Sequence, residues 1–247
     1  VGIFVVKEAG QAMDRFAQIL GFVMIALTLY VMFTAQPPIG EAVTKTFIPD
    51  NIDIFAIVTL VGGTVGGYIT FAGGHRLIDA GLTGRAAVPE VTRSSIYAIG
   101  IASIMRIILF LAVLGVVSQG LSLNPDNPPA SVFQLAAGNV GYKIFGVVMW
   151  AAAVTSVVGA AYTSVSFIRT FSPVLEKYNR FLVISFIVIS TSVFVFIGQP
   201  VLILVLVGSL NGLILPIALG VMLIAAHKAK IVGDYKHPLW MTIFGII

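Results

Sequence analysis

Residues 59–81 read "TLVGGTVGGYITFAGGHRLIDAG", seven glycines in a run that carries no charge before Arg76. Glycine in a helix interior costs about 1 kcal/mol relative to alanine, so a segment apolar enough to enter a bilayer needs a reason to hold so many. Two readings compete. Small residues at four-residue spacing, here Gly62/Gly66 and Gly63/Gly67, let neighbouring helix backbones approach closely. Alternatively, clustered glycines loosen the helix at the membrane midplane, where unwound backbone is tolerated only if it is buried in protein or lines a cavity. Interrupted spans of that kind mark transport sites, with carbonyls and helix C-termini facing cations. The clustering of the pairs, β-branched Thr64 and Val65 between two of them, and the polar residues that follow favour a broken helix.

The rest of the chain places this stretch in a membrane. Its 247 residues are 58% hydrophobic and only 10% charged, with a mean hydropathy of +1.05. An ordinary globular domain carries about 25% charged residues. Uncharged runs cover 16–35, 54–74, 144–168, 181–197 and 201–226, and 94–119 is a further run interrupted only by Arg106. Each approaches or exceeds the roughly 20 residues that cross a hydrocarbon core, and another apolar run begins at 238–247. The pattern predicts an all-α, polytopic helical bundle, a single transmembrane domain over 1–247 with the 54–74 span broken. With no cysteine, disulfides and thiolate metal ligands are excluded. No signal peptide is recognisable, and the chain opens on "VGIFVV" and closes on "HPLWMTIFGII". It therefore reads as a fragment whose missing N-terminal helices would complete the function.

Basic residues alternate between loops. Lys7 and Arg15 precede the first span, and the loop 36–53 has Lys45 against Glu41, Asp50 and Asp53. Arg76, Arg85 and Arg93 follow the broken span, "GLSLNPDNPPAS" is free of basic residues, and Arg169, Lys177 and Arg180 cluster next. After the bare "GQP" turn come Lys228, Lys230 and Lys236. The positive-inside rule predicts the first residues and the three Arg/Lys-rich loops in the cytoplasm of a multi-pass plasma-membrane protein. The net charge of +4 thus reflects topology and not nucleic-acid binding.

"GGTVGGYITFAGG" resembles the broken helix of the NRAMP divalent-metal transporters, whose pattern runs Gly-Ala-Thr-Val-Met-Pro-His. Gly62, Thr64 and Val65 match, and Gly63 replaces the Ala. "MDRFAQILGFVMIALTLYVM" before it, "AAAVTSVVGAAYTSVSF" after it and "GSLNGLILPIAL" further on fit the family's order. The resemblance covers essentially the whole chain, as the fifth to early eleventh helix of a LeuT-like (APC superfamily) fold. It implies that the Gly63 carbonyl takes a coordinating backbone position beside Thr64. Gly66 stands where the family has its metal-binding Met, Gly67 where it has Pro, and Tyr68 where it has His. A thioether helps select soft transition metals, whereas oxygen donors suit Mg²⁺ and Mn²⁺. Magnesium also prefers to keep several waters. Loss of the Met with widening by Gly66 and Gly67 resembles the NRAMP-related magnesium transporter branch. The family's Asp and Asn ligands belong to its first helix, outside this sequence. Its histidines fall at Tyr68 and Gly73, so proton coupling is doubtful and potential-driven uptake is expected.

Other polar residues within spans have two readings each. Arg106, costing about 2.5–3.5 kcal/mol at a helix centre, needs a partner; a structural ion pair is favoured over tuning of cation passage. His75 and Asp79, at i and i+4, share a helical face. They suit a hydrogen bond beside Arg76, or a place on an exit path. Ser209 and Asn211, with Pro216, make a second polar, breakable point in a long span; they line a cavity or bond between helices. Thr155, Ser156, Tyr162, Thr163, Ser164 and Ser166 read as a packing face.

The expected function is import of a divalent cation, Mg²⁺ or Mn²⁺, by alternating access, with no cofactor beyond the transported ion and membrane lipid as surroundings. A Na⁺-coupled amino-acid or small-solute carrier of the same fold is the alternative. An enzyme is not expected, since no complete HExxH or GxSxG motif accompanies His75 and Asp79.

Overall fold

The computed structural model describes residues 9–66, 74–198 and 200–246, and every regular element among them is helical. In chain order these are α1 (Ala9–Ala35), α2 (Ile39–Phe47), α3 (Ile54–Val65), α4 (Gly74–Asp79), α5 (Gly84–Ser118), α6 (Pro128–Arg169), α7 (Pro173–Lys177), α8 (Asn179–Ile197), α9 (Pro200–Ala226), α10 (Ala229–Val232) and α11 (Leu239–Ile246). By length and composition α1, α5, α6, α8 and α9 suffice to cross a membrane, and α3 is a shorter apolar helix. The protein is an all-α polytopic membrane bundle.

Several helices outrun their apolar cores. α5 starts at Gly84 and carries Pro89 in its second turn, well before the uncharged run that begins at residue 94. Charged and small residues extend a helix beyond the bilayer as readily as apolar ones, so hydropathy marks the crossing and not the helix end. The 36–53 loop contains α2, a short helix with no buried residue. α6 begins just after "NPDN" and is two helical stretches, because Ala137 (φ −136°, ψ 22°) and Gly138 (φ 58°, ψ −145°) break it. The expected weak point at Pro216 does not interrupt α9, which runs on to Ala226. Proline there removes only the bond to the carbonyl four residues earlier.

The chain forms two compact units, Val1–Ile52 with Glu90–Ala160, and Asp53–Pro89 with Ala161–Ile247. In the first, Val31, Met32 and Ala35 of α1 pack with Ile108, Ala112 and Val116 of α5 and with Val132, Phe133 and Val148 of α6. Close approach is enforced by small residues: a Cβ on Gly115 would lie 2.5 Å from the Ala35 carbonyl oxygen. That same carbonyl accepts a bond from the Gln119 amide at 2.9 Å, which satisfies the end of α1.

The second unit is organised by α3 against α9. Asp53 caps α3 by accepting the Ala56 N–H at 3.0 Å, as an N-terminal carboxylate should. Near the end of α6 in the same unit, Thr163, Ser164 and Ser166 are buried, and the Ser166 hydroxyl donates to the Thr163 carbonyl at 2.9 Å. Buried hydroxyls that bond their own backbone are what a packing face requires.

Candidate metal-transport site

The glycine stretch does both things its sequence suggests. α3 ends at Val65; Gly66 follows with φ 72° and ψ 98°, and its N–H bonds the Gly62 carbonyl at 3.1 Å. Positive φ at this point is where glycine is needed. The helix is thus broken at Gly66 among the described residues, and α4 begins at Gly74. The carbonyls of Gly63, Thr64 and Val65 follow that of Gly62 in the last turn of α3, where the helix dipole is negative. The Thr64 hydroxyl donates to the Val61 carbonyl at 3.2 Å.

Close packing occupies the same helix. A Cβ on Gly62 would fall 1.9 Å from the Gly208 carbonyl oxygen and 2.1 Å from the Gly212 nitrogen, while one on Gly212 would fall 2.2 Å from the Val58 carbonyl oxygen. Gly62, Gly208 and Gly212 therefore interlock α3 and α9 backbone to backbone. Thr59 adds a polar tie, its hydroxyl 2.8 Å from that of Ser209. Ser209 donates its own proton to the Val205 carbonyl at 2.9 Å, which leaves Thr59 the donor of the shared bond. Thr59→Val in the full-length protein should lower stability by about 0.6 kcal/mol, the average for hydrogen bonds between membrane helices. A double-mutant cycle with Ser209→Ala, read by thermal melting in detergent, checks this; strictly additive effects would show that the pair is not coupled.

Among the residues singled out from sequence, Gly63, Thr64 and Gly66 lie together at the end of α3, and Ser209 is brought to the same helix from α9. Asn211 is half-buried two residues on. Gly67 and Tyr68 lie outside the described residues. His75 and Asp79 fall in α4, but their side chains lie outside those described. Arg106 sits on an exposed position of α5, in the other unit. Sequence reasoning missed Thr59, Gly212 and the packing role of Gly208. The four-residue spacing in "GSLNG" was the available signal, matching the spacing in "GGTVGG".

Among the described residues, no group of three or more His, Cys, Asp or Glu is placed to hold a metal. What the α3 terminus and α9 offer are backbone carbonyls and hydroxyls, hard oxygen donors.

Across all of residues 1–247 the chain matches the family described as natural resistance-associated macrophage protein-like, Nramp. The chain belongs to the Nramp family. It is 70% identical over 245 residues to "Uncharacterized membrane protein YcsG" of Bacillus subtilis (strain 168), covering 99% of this chain and 61% of that protein. It is 61% identical over 243 residues to an "Uncharacterized membrane protein" of Haemophilus influenzae, covering 98% of this chain and 61% of that one. The chain thus spans less than two thirds of the length of these Nramp relatives. No solved structure matches it. For an Nramp chain, the glycine at position 66 is structural as well as compositional: its backbone angles tolerate no ordinary side chain without strain.

Proposed function

We propose that this chain forms the later half of an Nramp-type divalent-cation importer of the LeuT-like architecture, handling Mg²⁺ or Mn²⁺. The observation that carries the reading is the end of α3 at Gly66, pinned against α9, which sets three carbonyls at the interrupted point of a membrane span. These carbonyls, with the Thr64 and Ser209 hydroxyls nearby in sequence and packing, supply oxygen donors suited to a hard cation. Gly66 adds no side chain, leaving room for an ion that keeps part of its water shell. Carboxylate ligands would come from the helices that precede this segment in the full protein.

The positive-inside count supports a plasma-membrane orientation with the segment's first residues and the Arg76–Arg93 loop in the cytoplasm. Nothing at Tyr68 or Gly73 offers the imidazoles of the family pattern, so uptake is driven by the membrane potential. A divalent ion moving inward gains about 4.6 kcal/mol per 100 mV. Alternating access then rocks one helical bundle around the fixed site.

The test is uptake into proteoliposomes by the full-length protein under an imposed inside-negative potential. Saturable Mg²⁺ or Mn²⁺ entry that rises with the potential, without a proton gradient, is expected. Saturable amino-acid uptake without metal entry would sink the reading in favour of a solute carrier.

A further inference from the structure

Two of the chain's three histidines meet outside the membrane-crossing helices. His227 follows α9 and His237 precedes α11, with ring centroids 5.4 Å apart and planes inclined at 70°. The His227 Nδ1 lies 2.8 Å from the Leu223 carbonyl oxygen. A carbonyl only accepts, so Nδ1 carries a proton, and in the neutral ring Nε2 is the nitrogen with the lone pair. A histidine oriented by a backbone carbonyl in this way is the usual arrangement of a metal ligand. Its Nε2 is 3.3 Å from the Thr242 hydroxyl, a long bond that Thr242 can exchange for the Pro238 carbonyl at 3.5 Å.

His237 is less settled. Its Nδ1 is 3.4 Å from the Tyr235 hydroxyl. Its Nε2 is buried and has no hydrogen-bond partner among the described residues. A buried polar atom left unpaired costs roughly 1–3 kcal/mol and asks for a ligand. Two imidazoles on one tetrahedral ion, with metal–nitrogen bonds of about 2.0–2.1 Å, hold their ring centres roughly 5 Å apart. The observed spacing suits that geometry.

We propose that His227 and His237 form a two-imidazole site for a borderline divalent metal of the zinc class, completed by water and separate from the transport site. Imidazole nitrogen suits zinc, copper and nickel, whereas magnesium requires oxygen donors. Lys228 and Lys236 stand beside the two histidines in sequence, with Asp234 close by. Net charge therefore does not draw a cation here, and coordination must. Within this chain no thiolate competes for the ion. The site does not rest on the transport reading, and it stands or falls separately from it.

Zinc titration calorimetry on the full-length protein in detergent, with Mg²⁺ in excess, tests the site. One zinc equivalent that Mg²⁺ does not displace is expected, with affinity falling at least about tenfold in His227→Gln and in His237→Gln. Isotherms unchanged in both variants would overturn the site. The parent protein supplies a second test that needs no variant: zinc, but not magnesium, should slow diethylpyrocarbonate modification of His227 and His237, read by mass spectrometry. Equal modification with and without zinc would leave only a packing contact between α9 and α11, and the proposal would fail.

Discussion

Gly62→Ala should destabilise the full-length protein by about 3 kcal/mol or more, at or beyond the upper end of ordinary overpacking. The added carbon would sit 1.9 Å from the Gly208 carbonyl oxygen, and backbone cannot swing aside as a flexible side chain can. A fall in melting temperature follows, smaller per kcal/mol the larger the protein. The neighbouring glycines supply a graded series. Gly212→Ala should be nearly as severe, with its nearest atom at 2.2 Å, and Gly208→Ala milder, at 3.0 Å. Gly63→Ala should be neutral or slightly stabilising, because nothing lies within 4 Å of its Cβ and alanine is the better helix former. Thermal melting of the four variants decides it. If Gly62→Ala melts with Gly63→Ala, the interlock of α3 and α9 is not what holds this crossing.

Gly66→Met should move transport preference from Mg²⁺ towards Mn²⁺ and Cd²⁺ by about tenfold, or 1.4 kcal/mol. The thioether restores a soft donor at the interrupted helix. Backbone strain complicates the reading, since φ at Gly66 is 72° and a left-handed conformation costs an ordinary residue roughly 1–2 kcal/mol. Gly66→Ala carries the same strain without the sulfur and is the reference. The selectivity ratio of Gly66→Met to Gly66→Ala, from competitive uptake in proteoliposomes, isolates the ligand from the strain. Equal ratios in the two variants would mean that position 66 does not line the cation's path.

The glycines show how far a sequence can be read. Their number and spacing pointed to two incompatible uses of one helix, packing or breaking. The structure assigns both, one residue at a time: Gly62 is a contact, Gly63 an open position, Gly66 a turn. Nothing local distinguishes Gly62 from Gly63, because both are helical glycines in the same apolar run. The difference is that only one of them faces α9. Thr59 was invisible for the same reason, since its partner Ser209 is 150 residues away. The loop 36–53 was legible as a polar connection but not as the site of α2, whose short amphipathic pattern lies below the length that marks a span. Pro216 was a fair signal of a break, and the helix tolerated it.

Composition by itself determined that the chain crosses a membrane several times as helices. Backbone polar groups in lipid must be satisfied within the protein, and apolar runs of about 20 residues do so as helices. The glycine pattern also marked the stretch in which α3 ends. Only the tertiary structure decided which glycine carries the positive φ, which ones interlock α3 with α9, and that His227 and His237 meet across a loop. Those facts depend on a second helix arriving from far along the chain, and hydropathy, which is a local property, does not encode its approach.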